Sequence, residues 1–399
     1  MHLSLPFKYT ERKSLVAFLL LFNTFSWYYL IRMIIGKMGY VFGNSEYNFL
    51  WFSFSFSIII SIIFGSFLST KTRFLRIWIL FGVLTSLIST VLTFSSPIIS
   101  LFIICLLGVS LGIGLPSCFS YFTKVIPIER RGRMSGTVFF IVLLIMPFFR
   151  ICISFLDKVL SAIFVALWRM CLLLVLLLLG KEKIEWTSKE SVSFLFVLRN
   201  RTFYLYFISW LMLTSIESFG AIFVEASTND FLIYIKVMEP TFAGISALIT
   251  GIFSDRIGRK RIIIFSFTSL GISFAVLGLI PYVWSLWILH SIITGIALGS
   301  LWTFFVIVLW GDMATDGSEK FYALGEIPFF LSRIFSLIFT PYLALIPQSN
   351  AFSLAAFFLF IAVIPLLYAP ETLPEKKIRE IELRLYVEKA KKIKERYVK

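Results

Sequence analysis

The sequence predicts an all-α polytopic membrane protein whose twelve transmembrane helices form two pseudo-symmetric bundles of six. Three observations carry that prediction: an apolar composition, apolar runs of membrane-spanning length along the whole chain, and a motif repeated at the same place in each half. Hydrophobic residues are 59% of the 399 and charged residues 15%. Mean hydropathy is +0.92, far above the range of soluble domains. Crossing a hydrocarbon core takes about 20 residues of helix. Runs of that length fall near 14–36, 47–68, 75–95, 97–122, 135–156, 159–180, 204–226, 233–253, 262–280, 283–310, 321–346 and 350–369. The eighth is interrupted at its start by Lys236, Glu239 and Pro240.

Charge placement orients these spans. Lys8, Arg12 and Lys13 precede the first. The even-numbered turnarounds carry Lys71, Arg73 and Arg76, then Lys124, Arg130, Arg131 and Arg133, then Lys181, Lys183 and Lys189, then Arg256, Arg259, Lys260 and Arg261. The positive-inside rule puts all of them, and both termini, in the cytoplasm. Topology thereby accounts for the formal charge of +15. Nucleic acid is not expected as a partner, because no polar domain exists to present a basic face. Residues 1–180 form the expected N-terminal bundle, 181–203 a cytoplasmic linker, 204–370 the C-terminal bundle and 371–399 an amphipathic cytoplasmic tail. No short apolar leader with a small-residue cleavage site precedes the first span, which is expected to be retained. Cys105, Cys118, Cys152 and Cys171 lie inside spans without metal-ligand spacing and read as small interior side chains.

The repeat lies after spans 2 and 8. Residues 251–261 read GIFSDRIGRKR, an acid, a turn glycine and a basic cluster between two apolar runs. Setting Gly65 on Gly251 places Ser69 against Asp255, Thr72 against Gly258 and Arg73 against Arg259. The first copy keeps the glycine and the basic residues and lacks the acid.

Gly251, Asp255, Arg256, Gly258, Arg259 and Lys260 resemble the loop signature of the major facilitator superfamily, roughly G-x-x-x-D-R-x-G-R-R/K. The span-4 segment with Gly108, Gly112, Gly114 and Pro116, followed by Pro127, Arg131, Gly132 and Arg133, is similar to the sugar-porter-like and metabolite:proton symporter members. So are Trp168-Arg169 and Pro370-Glu371-Thr372. The resemblance implies a monomeric, cofactor-free transporter among membrane lipids. It also implies that Asp255 pairs with basic or helix-end partners across a cytoplasmic gate, with Arg131, Gly132 and Arg133 as a second gate loop. Departures are plain. Ile104 stands where many proton-coupled members carry an arginine, Ser69 replaces an acid, and span 5 has Pro147 without the drug:proton antiporter signature.

Ionisable residues at membrane depth are costly and mark pathways or pairs. At about 1.5 Å per residue, Glu217 in span 7 and Arg333 in span 11 lie roughly 18 to 21 Å from the cytoplasmic edge, near the midplane. Arg150 and Arg32 lie nearer the outer surface. Glu217 is the candidate for exchanging protons, or else half of a fixed pair with an arginine. Arg32, Arg150 and Arg333 are candidates for binding an anion through charge-assisted hydrogen bonds, with snorkelling to the outer interface as the simpler reading of Arg32. Asn23, with Thr24, Ser26, Trp27, Tyr28 and Tyr29, forms a polar and aromatic patch suited to a ligand wall or to an interfacial belt. His290 ranks behind these, and Arg169 reads as structural.

No GxxxxGK[ST] loop, GxSxG elbow or paired-histidine metal motif is present, so enzyme chemistry has no residue set to perform it. The expectation is a secondary active transporter that moves a small organic solute (a metabolite, organic anion or sugar) across the cytoplasmic membrane by proton-coupled symport. The alternatives are an efflux antiporter of the same superfamily and a non-transporting sensor on the same scaffold.

Overall fold

The computed structural model describes residues 9–42, 44–69, 74–92, 96–179, 192–227, 232–281, 283–314, 316–343, 345–374, 383 and 387. Among the described residues twelve long helical elements follow one another: α1 (Tyr9–Phe42), α2 (Asn44–Leu68), α3 (Phe74–Leu92), α4 (Pro97–Val125), α5 (Arg131–Phe155) and α6 (Lys158–Leu179), then α7 (Arg201–Ser227), α8 (Leu232–Ile257), α9 (Lys260–Leu279), α10 (Trp284–Met313), α11 (Ser318–Leu343) and α12 (Gln348–Tyr368). Among the described residues eleven are long and apolar enough to cross a membrane, and α3 adds a shorter apolar stretch, Phe74–Thr90. Large apolar side chains such as Phe64, Ile98, Leu177 and Leu279 point outward, as lipid contact requires.

Several helices overrun their apolar spans. Hydropathy marks the hydrocarbon, whereas backbone hydrogen bonding carries on into polar flanks, so α1 takes in Glu11, Arg12 and Lys13. Pro240 lies inside α8 without ending it. Three helices are locally irregular. α4 breaks between Gly112 and Leu115, α6 at Cys171, and α10 widens to a π-helix over Thr303–Val308, a distortion often found at functional sites. The predicted tail beyond Pro374 (Leu383 and Val387 excepted), residues 181–191 of the linker, and the basic residues Lys8, Lys71 and Arg73 lie outside the described residues.

The first six helices meet the last six along α5 with α8 and α2 with α11. The α5–α8 seam is close because glycines line it. A Cβ on Gly132 would sit 2.7 Å from the Gly251 carbonyl, and one on Gly251 would sit 3.1 Å from the Gly136 Cα. Gly258, in the α8–α9 turn, has φ +92°, and a Cβ there would meet Glu371 Oε2 at 2.6 Å. Gly258→Ala therefore combines a strained backbone with a displaced carboxylate and is expected to cost about 1–3 kcal/mol. Thermal unfolding in detergent should show a lower melting temperature, and an unchanged one would contradict this account of the turn.

Candidate functional site

The end of the molecule that carries the α8–α9 turn is sealed by polar contacts between the two halves. Asp255, at the end of α8, accepts the Gly132 N–H at 3.0 Å and the Arg133 N–H at 2.9 Å. Its carboxylate thus caps the first turn of α5, where free N–H groups and the helix dipole favour an anion. Beside it Asp312, from the end of α10, takes Arg131 at 2.9 Å and pairs on its other oxygen with Arg259. Arg259 also donates to the Ile128 carbonyl at 2.7 Å. Burial pushes its guanidinium down to about 10, against the opposing pull of Asp255, so it stays cationic at neutral pH. A second seal joins α4 to α11: Ser120 and Lys124 both contact Glu319 Oε1, at 2.8 and 3.1 Å. Glu371 caps α9 through the Arg259 and Lys260 N–H groups at 2.9 and 3.0 Å. Arg256 and the Arg133 side chain are exposed.

Away from that seal a cavity of about 360 Å³ lies between the halves. It gathers Arg32 from α1, Arg150 from α5, Glu217 from α7 and Arg333 from α11, residues far apart in the chain. Glu239 of α8 joins them. The Trp51 ring lies 5.7 Å from the Arg32 guanidinium and 5.0 Å from that of Arg333, within cation–π range. An aromatic face thus helps to position both arginines at the cavity. Glu217 accepts a 3.4 Å hydrogen bond from Trp302 Nε1, immediately before the π-helix of α10. Among the described residues no ion pair within 4.0 Å engages Glu217. Deeper in, an apolar annex of about 100 Å³ shares Tyr28, Arg32 and Glu217 with the main cavity and is walled by Leu115, Phe139 and Met146.

Other expected residues lie elsewhere. Asn23 is buried and turned toward α6, donating to the Trp168 carbonyl at 2.8 Å and accepting from Arg169 at 3.2 Å. It belongs to a packing cluster in which Arg169 lies between the Trp27 and Trp78 rings, 4.3 and 5.0 Å from their centroids. The first-span patch therefore splits by helix face: Tyr28 and Tyr29 line the cavity, while Asn23 and Trp27 face the bundle. His290 lines the cavity with both ring nitrogens engaged, Nδ1 by Ser273 at 2.8 Å and Nε2 by Thr294 at 3.4 Å. Sequence reading missed Asp312, Glu319, Glu239 as a cavity residue, and Glu326. Asp312 and Glu319 fall in one polar connection where nothing local distinguishes a gate acid from a solvated one. Glu326, on α11, precedes Arg333 by seven residues and shares its helix face, which was a usable signal.

Residues 237–396 match the family model described as Major Facilitator Superfamily. No curated protein matches the chain. Among solved structures it is similar to the human organic anion transporter MFSD10 (TETRAN), with 13% identity and a TM-score of 0.69 over 90% of this chain and 100% of that one. It is also similar to the proton:xylose symporter XylE, with 16% identity and a TM-score of 0.67 over 91% and 96%. A bacterial homologue of the iron transporter ferroportin, in an outward-facing state, gives 12% identity and a TM-score of 0.66 over 91% and 99%. At these identities the likeness is one of fold.

Proposed function

We propose that the chain is a membrane transporter of the major facilitator superfamily, whose family model matches residues 237–396 and whose fold it shares, and that it carries a small organic anion inward together with protons, by alternating access. The observation that supports this reading is the mixed charge of the cavity. Three arginines and two glutamates line it, so its net charge is +1 with both carboxylates ionised and +3 with both protonated. Each proton taken up strengthens the field that an anion enters, and by linkage the anion strengthens proton binding. Glu217 is the coupling group. Arg32, Arg150 and Arg333 hold the anion.

Residues 1–180 and 204–370 act as the two rocking bundles, with the 181–203 linker and both termini on the cytoplasmic face of the cell membrane. The sealed end then faces the cytoplasm and the cavity faces out. Asp255, Arg131, Arg259 and Asp312 form the lock that must part for release. Two proteins of similar fold, one an organic anion transporter and one a proton:xylose symporter, support this reading.

The test is uptake into proteoliposomes across a panel of carboxylates, phosphate esters and sugars with an imposed inward proton gradient. Uphill accumulation of anions, collapsed by a protonophore, is the expected result. Accumulation of sugars alone, or outward transport driven by the gradient, would overturn it, and no counterflow of any compound would favour the sensor reading. Arg333→Ala should raise the half-saturating anion concentration by roughly 10- to 100-fold, the worth of a hydrogen bond to a charged group. A variant with the parent's affinity removes Arg333 from the binding site.

A further inference from the structure

The annex contains a carboxyl that neither the seal nor the anion site uses. Glu326 is 4% exposed, lines the annex with Glu217 and Trp302, and among the described residues its Oε1 has no hydrogen-bond partner. A carboxylate ionised in such surroundings would forgo both water and a counter-charge, whereas the neutral acid forgoes far less. The titratable and charged groups facing the annex are Tyr28, Tyr29 and Arg32 from α1 and Glu217 from α7. The side chains that α4 and α5 present there are apolar, and α10 presents Trp302 and Val306. α2, which packs against α11, contributes Trp51 and Ser55 to the main cavity instead. On α11 itself Tyr322 lies one turn toward the sealed end.

We propose that Glu326 is a second proton-carrying group, which holds its proton while this end is sealed and releases it to water on that side when the seal opens. Geometry supplies the switch. The first turn of α11 is held by Ser318 and Glu319, which contact Ser120 and Lys124 of α4. Parting those contacts frees the end of α11 nearest Glu326 and admits water along it. The proton then passes from the Glu326 carboxyl to water, leaving a carboxylate. On resealing, a proton leaves the Glu217 carboxyl and arrives at the Glu326 carboxylate through the annex that both line, so no net charge is created.

The holding step does not depend on the transported solute. Its test is infrared difference spectroscopy of the reconstituted protein. Subtracting Glu326→Gln from the parent should reveal the carbonyl stretch of a protonated carboxyl, slow to shift in deuterated buffer. The same band should persist in Glu217→Gln, and it should exchange faster in Asp312→Ala, where the seal is weakened. A difference spectrum that shows loss of an ionised carboxylate instead overturns the proposal. If Glu326→Gln does not fold, Glu326→Asp must keep the acid band at a displaced frequency, and its absence overturns the proposal equally. In transport, Glu326→Gln is expected to lower the number of protons moved per anion while counterflow continues, and an unchanged ratio contradicts the release step. Failure of every compound to be transported would sink the transport reading and leave the infrared result standing.

Discussion

Glu217→Gln is expected to abolish the dependence of uptake on an imposed proton gradient while leaving anion counterflow in place. The amide has nearly the shape of the protonated acid, so the cavity is fixed in its more positive form and the anion still binds. What disappears is the exchange between two charge states, and with it the linkage that makes a proton gradient do transport work. Gradient-driven accumulation should fall by an order of ten-fold or more, within the range of ordinary coupling energies, and counterflow should change little with pH. Normal accumulation with the parent's pH profile would remove Glu217 from the mechanism. Trp302 offers a control through its 3.4 Å contact. Trp302→Phe deletes the donor and keeps the carboxyl, so proton dependence should survive with a displaced midpoint.

Asp312→Ala is expected to open the sealed end. Asp312 lies between Arg131 and Arg259, with its side chain and that of Arg259 fully buried. Removing the acid leaves two guanidinium groups facing each other across the halves, and breaking a buried pair this way costs about 3–5 kcal/mol. At about 1.4 kcal/mol per factor of ten, that moves the equilibrium between sealed and open states by roughly two to three orders of magnitude. Spin labels at the exposed positions Arg130 and Arg261 flank the seal, one in each half. Their distance distribution should lengthen in Asp312→Ala and return toward the parent in Asp312→Glu. Unchanged distances would mean that Asp255 and the α4–α11 contacts hold the end shut without it.

What was legible in the sequence follows from the range of the physics involved. A membrane helix satisfies its own backbone hydrogen bonds, so its presence is written in about 20 consecutive residues. The twelve helices accordingly fall on the twelve apolar runs. Even the eighth, with Lys236, Glu239 and Pro240 near its start, stays helical. Charges at membrane depth were legible for a similar reason, since each is conspicuous against its own helix, and Glu217, Arg32, Arg150 and Arg333 do share one cavity. Direction around a helix was not. Asn23 and Tyr28 lie in the same apolar run, yet one packs on α6 and the other lines the cavity. Pairing was still less accessible: Arg131 meets Asp312 from 181 residues away. The glycine of the α8–α9 turn was visible as a motif, but the Glu371 carboxylate that caps the next helix comes from beyond α12.

The linkage between protons and anion can be measured without any gradient. Purified protein in weakly buffered detergent solution, mixed with an anion that the panel identifies as transported, reports proton uptake as a change in the pH of the medium. The account predicts that anion binding takes protons from the solution, making it more alkaline, and that Glu217→Gln greatly reduces the change. Anion binding with no pH change, or with proton release, would contradict it.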